Sequence, residues 1–169
     1  MTQKDRRPGP HRRIAVVAAA AVAALAATAG CGGPGFGGTD PKSVVERAQS
    51  LAQETLEAVR PTIGSATASV DSSRWSKCST ETPGVHRFSY AYVLKVNVRK
   101  DASQPVMDAA KAYFAKAGYR LDIPDPRMAR VGGALPKSHW WVGVGVQDKS
   151  FMFISIDSGC VFTSSDPKV

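Results

Sequence analysis

Apolar positions along the chain change their spacing several times, and each change predicts a different element. From Asp40 onward, apolar residues recur every three or four positions as far as Val59. This period predicts an amphipathic helix, with Asp40 as its N-cap and Pro41 at the first helical position. We expect the helix to run to about Arg60 and to be stopped by Pro61. 

A second apolar stripe, from Val106 to Ala117, has the same helical spacing. It predicts another helix that is capped by Asp101 or Ser103. Gly118 is placed to terminate this helix, because glycine readily adopts the left-handed conformation that follows a C-cap.

The clearest strand pattern runs from His86 to Arg99, where apolar and polar residues alternate. The predicted core-facing residues are Phe88, Tyr90, Tyr92, Leu94, Val96 and Val98. Such alternation is typical of an antiparallel sheet with one buried face and one face in water. Shorter strands are predicted at residues 75–79, 119–123, 127–131, 140–147 and 151–156, with a polar link at 62–73, turns at 82–84 and 124–126, and a loop at 132–136.

The order of elements predicts an α+β fold, a two-layer sandwich in which an antiparallel sheet carries both helices on one face. The folded domain is expected to span residues 41–162, with a frayed tail at 163–169. A chain of 169 residues with 43% hydrophobic and 21% charged residues suits one compact domain. No heptad or collagen repeat occurs, which excludes fibrous classes.

The N-terminus has the charge pattern of an export signal. Residues 1–13 carry five cations against Asp5 alone, and no charge occurs between Ile14 and Ala29. This Ala-rich run is short for a membrane span, which needs about 20 residues. We therefore expect residues 1–30 to be a cleaved signal peptide. Two arginine pairs resemble a twin-arginine signal, but the rest of that motif is missing, so the general secretion route is favoured.

The sequence Thr28-Ala29-Gly30-Cys31 resembles the lipobox of bacterial lipoproteins, although Thr28 stands where that family usually has an aliphatic residue. The resemblance implies that Cys31 becomes acylated and holds the chain on the outer face of the cytoplasmic membrane, with the lipid bilayer as a partner. Residues 31–40 are rich in glycine and predict a flexible tether. The alternative is an uncleaved N-terminal anchor, and both interpretations place the domain outside the cytoplasm.

The charge of the chain falls sharply if the signal peptide is removed. The formal net charge is +8, and loss of residues 1–30 takes five of the 22 Lys and Arg and one of the 14 Asp and Glu, leaving about +4. The sequence shows no interleaving of basic and aromatic residues of the kind that binds nucleic acid, and we expect no nucleic-acid partner.

Cys78 and Cys160 are the other two cysteines of the chain. An exported protein meets an oxidising compartment, so we expect them to form a disulfide. A loop of roughly 83 residues would be closed, which the chain-entropy model values at about 4.5 kcal/mol. The competing hypothesis is a catalytic thiolate with His86 or His139 as its base. A zinc site is disfavoured because its ligands usually come in close pairs.

Catalytic constellations are weak in this sequence. Asp122, Asp125 and Asp157 could supply paired carboxylates, but the first two flank Pro124 and are better explained by a turn. Ser158 with His139 and Asp157 could form a triad, yet no nucleophile-elbow motif surrounds the serine. We therefore expect no catalytic residue, no metal and no cofactor.

Two features favour binding instead. Trp141 shares a strand face with Gly143 and Gly145, a layout that either admits a ligand beside the indole or lets a helix pack closely on the glycines. The cations Arg87, Lys95 and Arg99 on the wet face of the longest strand either attract an anionic polymer such as teichoic acid, or lipid phosphate, or simply keep that face soluble. Partners would be an envelope protein or a cell-wall polymer.

Residues 75–78, Trp-Ser-Lys-Cys, and residues 158–160, Ser-Gly-Cys, resemble motifs of small actinobacterial lipoproteins of unknown function. This resemblance covers most of residues 40–162 and implies a layout but no activity. The sequence thus predicts a membrane-anchored, non-catalytic binding or accessory module of the cell envelope. The alternatives are a cell-wall hydrolase and a structural or inhibitory partner of an envelope enzyme.

Overall fold

The structure, a computed structural model, describes residues 38–78, 86–99, 101–123, 129–147 and 150–168. Its elements are α1 (Pro41–Ile63), β1 (Ala68–Lys77), β2 (Arg87–Asn97), α2 (Ser103–Lys116), β3 (Arg120–Leu121), β4 (Arg130–Ala134), β5 (Trp141–Gln147), β6 (Phe151–Asp157) and β7 (Val161–Phe162). The predicted signal peptide, Cys31 and the predicted turns at residues 82–84 and 124–126 lie outside the described residues.

One antiparallel sheet organises the domain, with strand order β1-β2-β6-β5-β4-β3 and with β7 paired to the start of β2. Both helices contact the same side of this sheet, α1 over β2 and β6 and α2 over β3, β4 and β5. The predicted α+β sandwich with two helices on one face is confirmed. Neither α1 nor α2 has the length and apolarity of a bilayer-spanning helix, and the described ranges contain no other helix that does.

The core lies between this side of the sheet and the helices. On β2 the five predicted inward side chains from Phe88 to Val96 are buried, and their partners on β6 are Met152, Ile154 and Ile156. Phe114 of α2 and Leu51 of α1 are almost fully buried against them. The alternation in β2 therefore predicted the core correctly, because one face of the strand is dry and the other is not.

The helix ends differ in part from the prediction. Asp40 caps α1 as expected, and its side chain accepts a hydrogen bond from the Lys42 N–H at 3.0 Å. The helix does not stop at Pro61 but continues to Ile63, since proline near the last turn removes one backbone hydrogen bond and its fixed φ is still helical. Gly64, with φ of +67°, ends the helix.

The second helix starts without a side-chain cap. Its N-cap is Ala102 rather than Asp101 or Ser103, and Ala102 is 2% exposed. The expected cap is therefore wrong, and the Asp101 carboxylate instead pairs with Arg99 at 3.4 Å. The predicted terminator Gly118 does follow the C-cap Ala117, with φ of +75°.

Two strands were misjudged from the sequence. The segment predicted to be a polar link contains the first part of β1, an edge strand paired to β2 in which the only buried side chain is Trp75. The segment predicted to be a loop at residues 132–136 supplies most of β4, because Gly132 and Gly133 belong to the sheet. A Cβ at Gly133 would lie 2.8 Å from the Arg120 carbonyl oxygen of β3, which explains the glycine.

The disulfide between Cys78 and Cys160 is present, with 6.1 Å between the two Cα atoms. Cys78 directly follows β1, and its N–H donates to the Arg87 carbonyl of β2. Cys160 directly precedes β7, which pairs with the same end of β2. The bond therefore joins the strands on either side of β2, and neither sulfur is a free nucleophile.

Both ends of the domain meet beside β7. The Thr39 N–H donates to the Phe162 carbonyl at 2.7 Å, and the Ser164 N–H donates to the Thr39 carbonyl at 3.0 Å, around a parallel bridge between Thr39 and Thr163. A Cβ at Gly38 would lie 2.2 Å from the Thr163 carbonyl carbon, so glycine is required for this approach. The last residues of the predicted tether are thus part of the domain.

The segment 163–168 is likewise held, and the predicted fraying is wrong for these residues. The Asp166 carboxylate contacts the His86 ring, and Pro167 is buried. A polar tail gives no hydrophobic signal in the sequence, whereas backbone pairing with residue 39 depends on the fold.

An aromatic cluster closes the α2 end of the core. The rings of Tyr113, Phe114 and Tyr119 pack together, with 4.9 Å between the centroids of Phe114 and Tyr119. Burial raises the pKa of the Tyr119 hydroxyl well above its usual value of 10.0, and the neighbouring Tyr113 raises it further. Burial also raises the pKa of Tyr113.

Candidate functional site: the open face of the sheet

Strand alternation sends half of the sheet's side chains away from the helices. We call this side the open face. By register it includes Arg74 of β1, Arg87, Ala91, Val93 and Lys95 of β2, Arg120 of β3, Arg130, Gly132 and Ala134 of β4, Trp141, Gly143 and Gly145 of β5, Phe151, Phe153, Ser155 and Asp157 of β6, and Phe162 of β7. Among the described elements, no helix packs on it. It includes all three residues of the ligand face predicted around Trp141.

Trp141 does not stand beside empty glycine positions, because its own indole occupies them. A Cβ at Gly143 would lie 2.1 Å from Cη2 of Trp141, and one at Gly132 would lie 2.4 Å from Cζ2. The ring therefore covers Gly143 of β5 and Gly132 of β4. Gly143 is not open to a ligand beside the indole, and no helix packs on it among the described elements. Gly145 differs, since a Cβ there would make only ordinary contacts of 3.7 Å or more.

Two neighbours fix the indole in this position. Its Nε1–H donates to Oδ2 of Asp122 at 2.7 Å. The guanidinium carbon of Arg130 lies 5.1 Å from the ring centroid, within cation–π range. Asp122 is therefore engaged with Trp141 and does not form a carboxylate pair.

The open face carries three cation–π contacts, and they link residues that are far apart in sequence. Besides Arg130 with Trp141, the Lys95 ammonium lies 4.0 Å from the Phe151 centroid, and the Arg87 guanidinium lies 5.6 Å from the Phe162 centroid. Phe162 is 59% exposed. Folding thus interleaves basic and aromatic side chains that the linear sequence keeps apart.

The cations of the open face lack acidic partners. No salt bridge with another described residue is formed by Arg74, Arg87, Lys95, Arg120 or Arg130. The Nε atom of Arg87 is buried and has no hydrogen-bond partner among the described residues. Because strands are about 4.8 Å apart, the Cα atoms of Lys95 and Arg130 lie about 14 Å apart across β2, β6, β5 and β4. The face therefore carries more cations than carboxylates, since Asp157 is its one acidic residue among those in register, and it presents an excess of positive charge.

Sequence reasoning found only part of this set. Arg87 and Lys95 lie where they were predicted, whereas Arg99 lies beyond the end of β2 and pairs with Asp101 at 3.4 Å. Arg130 and Phe153 were missed, since only the register of β4, β5 and β6 places them beside Gly145. Alternation within residues 151–156 was the available signal for Phe153, and nothing local marked Arg130.

The residues considered for a catalytic triad have structural roles here. Ser158 is fully buried, and its hydroxyl accepts a hydrogen bond from the Tyr90 N–H at 2.8 Å and donates to the Gly159 carbonyl at 2.7 Å. Asp157 accepts from the Gly159 N–H at 2.6 Å. No hydrogen bond joins Ser158 to His139 among the described contacts, so the proposed nucleophile and base are not paired.

A concavity of about 420 Å³ lies at the β3 edge of the sheet, beside the loop between β4 and β5. Its lining includes Arg120, Lys137 and His139, and neither Asp122 nor Asp157 contributes to it. The arrangement of a carboxylate beside His139 that a hydrolase would need is not formed in this concavity.

Metal ligands are not grouped within the described ranges, where no set of three or more His, Cys, Asp or Glu side chains could hold an ion. Asp125 lies outside those ranges.

No family model, curated protein or solved structure matches the chain.

Proposed function

We propose that the protein is an extracytoplasmic lipoprotein, anchored through acylated Cys31, which binds a component of the cell envelope through its open face without catalysis. The observation that carries the binding role is the open face itself: three cation–π contacts and five cations that form no salt bridge with a described residue, on a side of the sheet that no described helix covers.

The anchoring part of the proposal is supported by the sequence around Cys31, with its charged start, uncharged run and lipobox-like end. The position of Gly38 is compatible with it, because this residue lies beside β7 at the end of the sheet that carries Arg87 and Phe162. A tether from the membrane would join the domain at that end.

The non-catalytic part of the proposal is supported by the uses that the candidate reactive groups already have. Cys78 and Cys160 are joined to each other, and the Ser158 hydroxyl is satisfied by backbone groups in the core. A nucleophile needs an accessible lone pair and a base within hydrogen-bond reach, which neither arrangement offers.

Anchoring is tested by expressing the full chain in a bacterium that processes lipoproteins, together with an alkyne-bearing fatty acid. We expect label on the wild type and none on the Cys31→Ser variant, with mass spectrometry locating the acyl groups on an N-terminal cysteine. An unlabelled protein that retains Met1 would contradict the anchor.

Binding through the open face is tested in the same cells with a photo-crosslinking amino acid at position 153. The matched control places it at position 53, an exposed site on α1. We expect a crosslinked product from position 153 and none from position 53. Equal yields, or no product from position 153, would contradict a role for the open face. A crosslinked polypeptide would assign a protein partner to the face.

A further inference from the structure

The open face has a definite internal layout. Successive rows of side chains run across the strands, and one row contains Lys95, Phe153, Gly145 and Arg130 in register. The next row contains the small residues Val93, Ser155, Gly143 and Gly132. The Trp141 indole covers Gly143 and Gly132, so this second row is uncovered only at Val93 and Ser155, whereas a Cβ at Gly145 in the Lys95 row would make only ordinary contacts of 3.7 Å or more.

We propose that the open face binds an anionic polysaccharide chain that runs across the strands, with Lys95 and Arg130 contacting its acidic groups and Phe153 stacking against a sugar ring. This inference rests on the proposed function and specifies the envelope component. The C–H faces of pyranose rings are apolar and stack on aromatic side chains, while their hydroxyls bond to groups such as Ser155. One pyranose unit is similar in length to the spacing between strands.

The spacing of the charges favours such a chain over a lipid surface. Binding to anionic headgroups uses clusters of four to eight neighbouring Lys or Arg, each contributing by proximity to the bilayer. Here Lys95 and Arg130 are about 14 Å apart across the strands, and Arg87 lies about 27 Å from Lys95 along β2, away from the proposed path of the chain. Two isolated cations in one row match acidic groups that recur along a linear polymer.

The aromatic contacts favour sugars over bases or a protein. Non-specific binding of single strands relies on rings free to stack with successive bases. Trp141, Phe151 and Phe162 each have a cation near the ring. Phe153 has no such contact among the described residues, so the face offers one free ring rather than a series of rings for successive bases. Protein interfaces are depleted in lysine and serine, whereas the rows around Phe153 contain Lys95 and Ser155.

The test measures binding of fluorescent dextran sulfate to the full-length protein in detergent micelles by fluorescence anisotropy over a range of salt concentrations. Neutral dextran, polyphosphate, single-stranded DNA and anionic vesicles are compared with it. The main variants are Lys95→Gln/Arg130→Gln and Phe153→Ala. Lys111→Gln/Lys116→Gln is the control, because it removes the same charge from exposed positions on α2.

We expect Lys95→Gln/Arg130→Gln to weaken dextran sulfate binding about tenfold and to reduce the slope of log affinity against log salt by about 1.5. The control should weaken binding less than about threefold. Phe153→Ala should weaken binding of dextran sulfate and leave polyphosphate binding unchanged. If a urea unfolding curve shows that the main double variant is unfolded, Lys95→Gln and Arg130→Gln are measured singly with Lys111→Gln as the control, and each is expected to weaken dextran sulfate binding about threefold and to reduce the salt slope by about 0.7.

Equal losses in the open-face and control variants would overturn the proposal, because they would show attraction to net charge alone. Tighter binding of DNA, polyphosphate or vesicles than of dextran sulfate would also overturn it. If the crosslink at position 153 forms in cells while dextran sulfate binding is insensitive to Lys95 and Arg130, the proposed binding role stands and the polysaccharide inference fails. Absence of both acylation and crosslinking would remove the proposed function itself.

Discussion

The packing of the Trp141 indole on Gly143 leads to a sharp prediction for Gly143→Ala. The added methyl would lie 2.1 Å from Cη2 and 2.8 Å from Cζ2 of Trp141, so the ring has to move. Displacement breaks the hydrogen bond to Asp122, worth about 1 kcal/mol, and the contact with Arg130, worth about 0.5–1 kcal/mol. Loss of apolar contact over the glycines adds about 1 kcal/mol. We expect the free energy of unfolding to fall by about 2–3 kcal/mol.

A double-mutant cycle with Trp141→Ala isolates this clash. Without the indole, Gly143→Ala should be neutral or stabilising by about 0.5 kcal/mol, because alanine loses less backbone entropy than glycine in a strand. The coupling free energy between the two positions should therefore be about 3 kcal/mol. Gly145→Ala is the matched control, with contacts of 3.7 Å or more, and should not destabilise.

The measurement is urea unfolding of the four proteins and the control, followed by far-UV circular dichroism because tryptophan fluorescence changes with the substitution. Disulfides are kept oxidised throughout. If the effects of Gly143→Ala and Trp141→Ala on the free energy of unfolding add to within about 0.5 kcal/mol in the double variant, the indole does not lie on Gly143. If Gly145→Ala destabilises the protein as much as Gly143→Ala does, β5 does not tolerate alanine at either glycine and the effect is not specific to the indole.

Three further outcomes are expected. Replacing Cys78 and Cys160 together with serine should lower the free energy of unfolding by about 2–5 kcal/mol, and the wild type should lose the same amount on reduction; an unchanged urea midpoint would contradict the role of the disulfide. Ser158→Ala should cost about 1–3 kcal/mol because it leaves the buried Tyr90 N–H without its acceptor; an unchanged unfolding curve would show that the hydroxyl is dispensable. The raised pKa of Tyr119 means that the unfolded chain loses this proton first, so stability should fall as the pH rises above 10.0. Tyr119→Phe should show a smaller fall between pH 9 and pH 11, measured by urea unfolding, and an identical fall would refute the assignment.

The sequence correctly predicted the elements that have one solvent-exposed face and one buried face. β2 and the core stripe of α1 have such a contrast, and the period of the sequence identifies them. β1 was mostly missed because it is a polar edge strand, paired on one side, in which only Trp75 is buried. No period exists where most side chains are outside the core.

The glycines of β4 show a second limit. Gly132 and Gly133 resemble a loop in the sequence, yet each is needed for close approach, one by the indole of Trp141 and the other by the backbone of Arg120. These neighbours come from other strands. Local propensity disfavours glycine in a sheet, and tertiary packing overrides it here.

The candidate site was predictable only in outline. Trp141 with Gly143 marked an unusual strand, and Arg87 with Lys95 marked a basic face. The cation–π contacts depend on strand order, since Lys95 meets Phe151 only after β2 pairs with β6. Register is set by the whole sheet and is absent from any local window of sequence.

The bridge between Thr39 and Thr163 determines how mechanical force on the N-terminal segment enters the domain. Its two hydrogen bonds lie side by side, so a pull along the chain loads them together in shear rather than opening them in turn. Part of the load then reaches Cys160 through the chain and crosses a covalent bond to Cys78. Under tension, we expect the segment before Gly38 to extend while the sheet and α1 keep their shape.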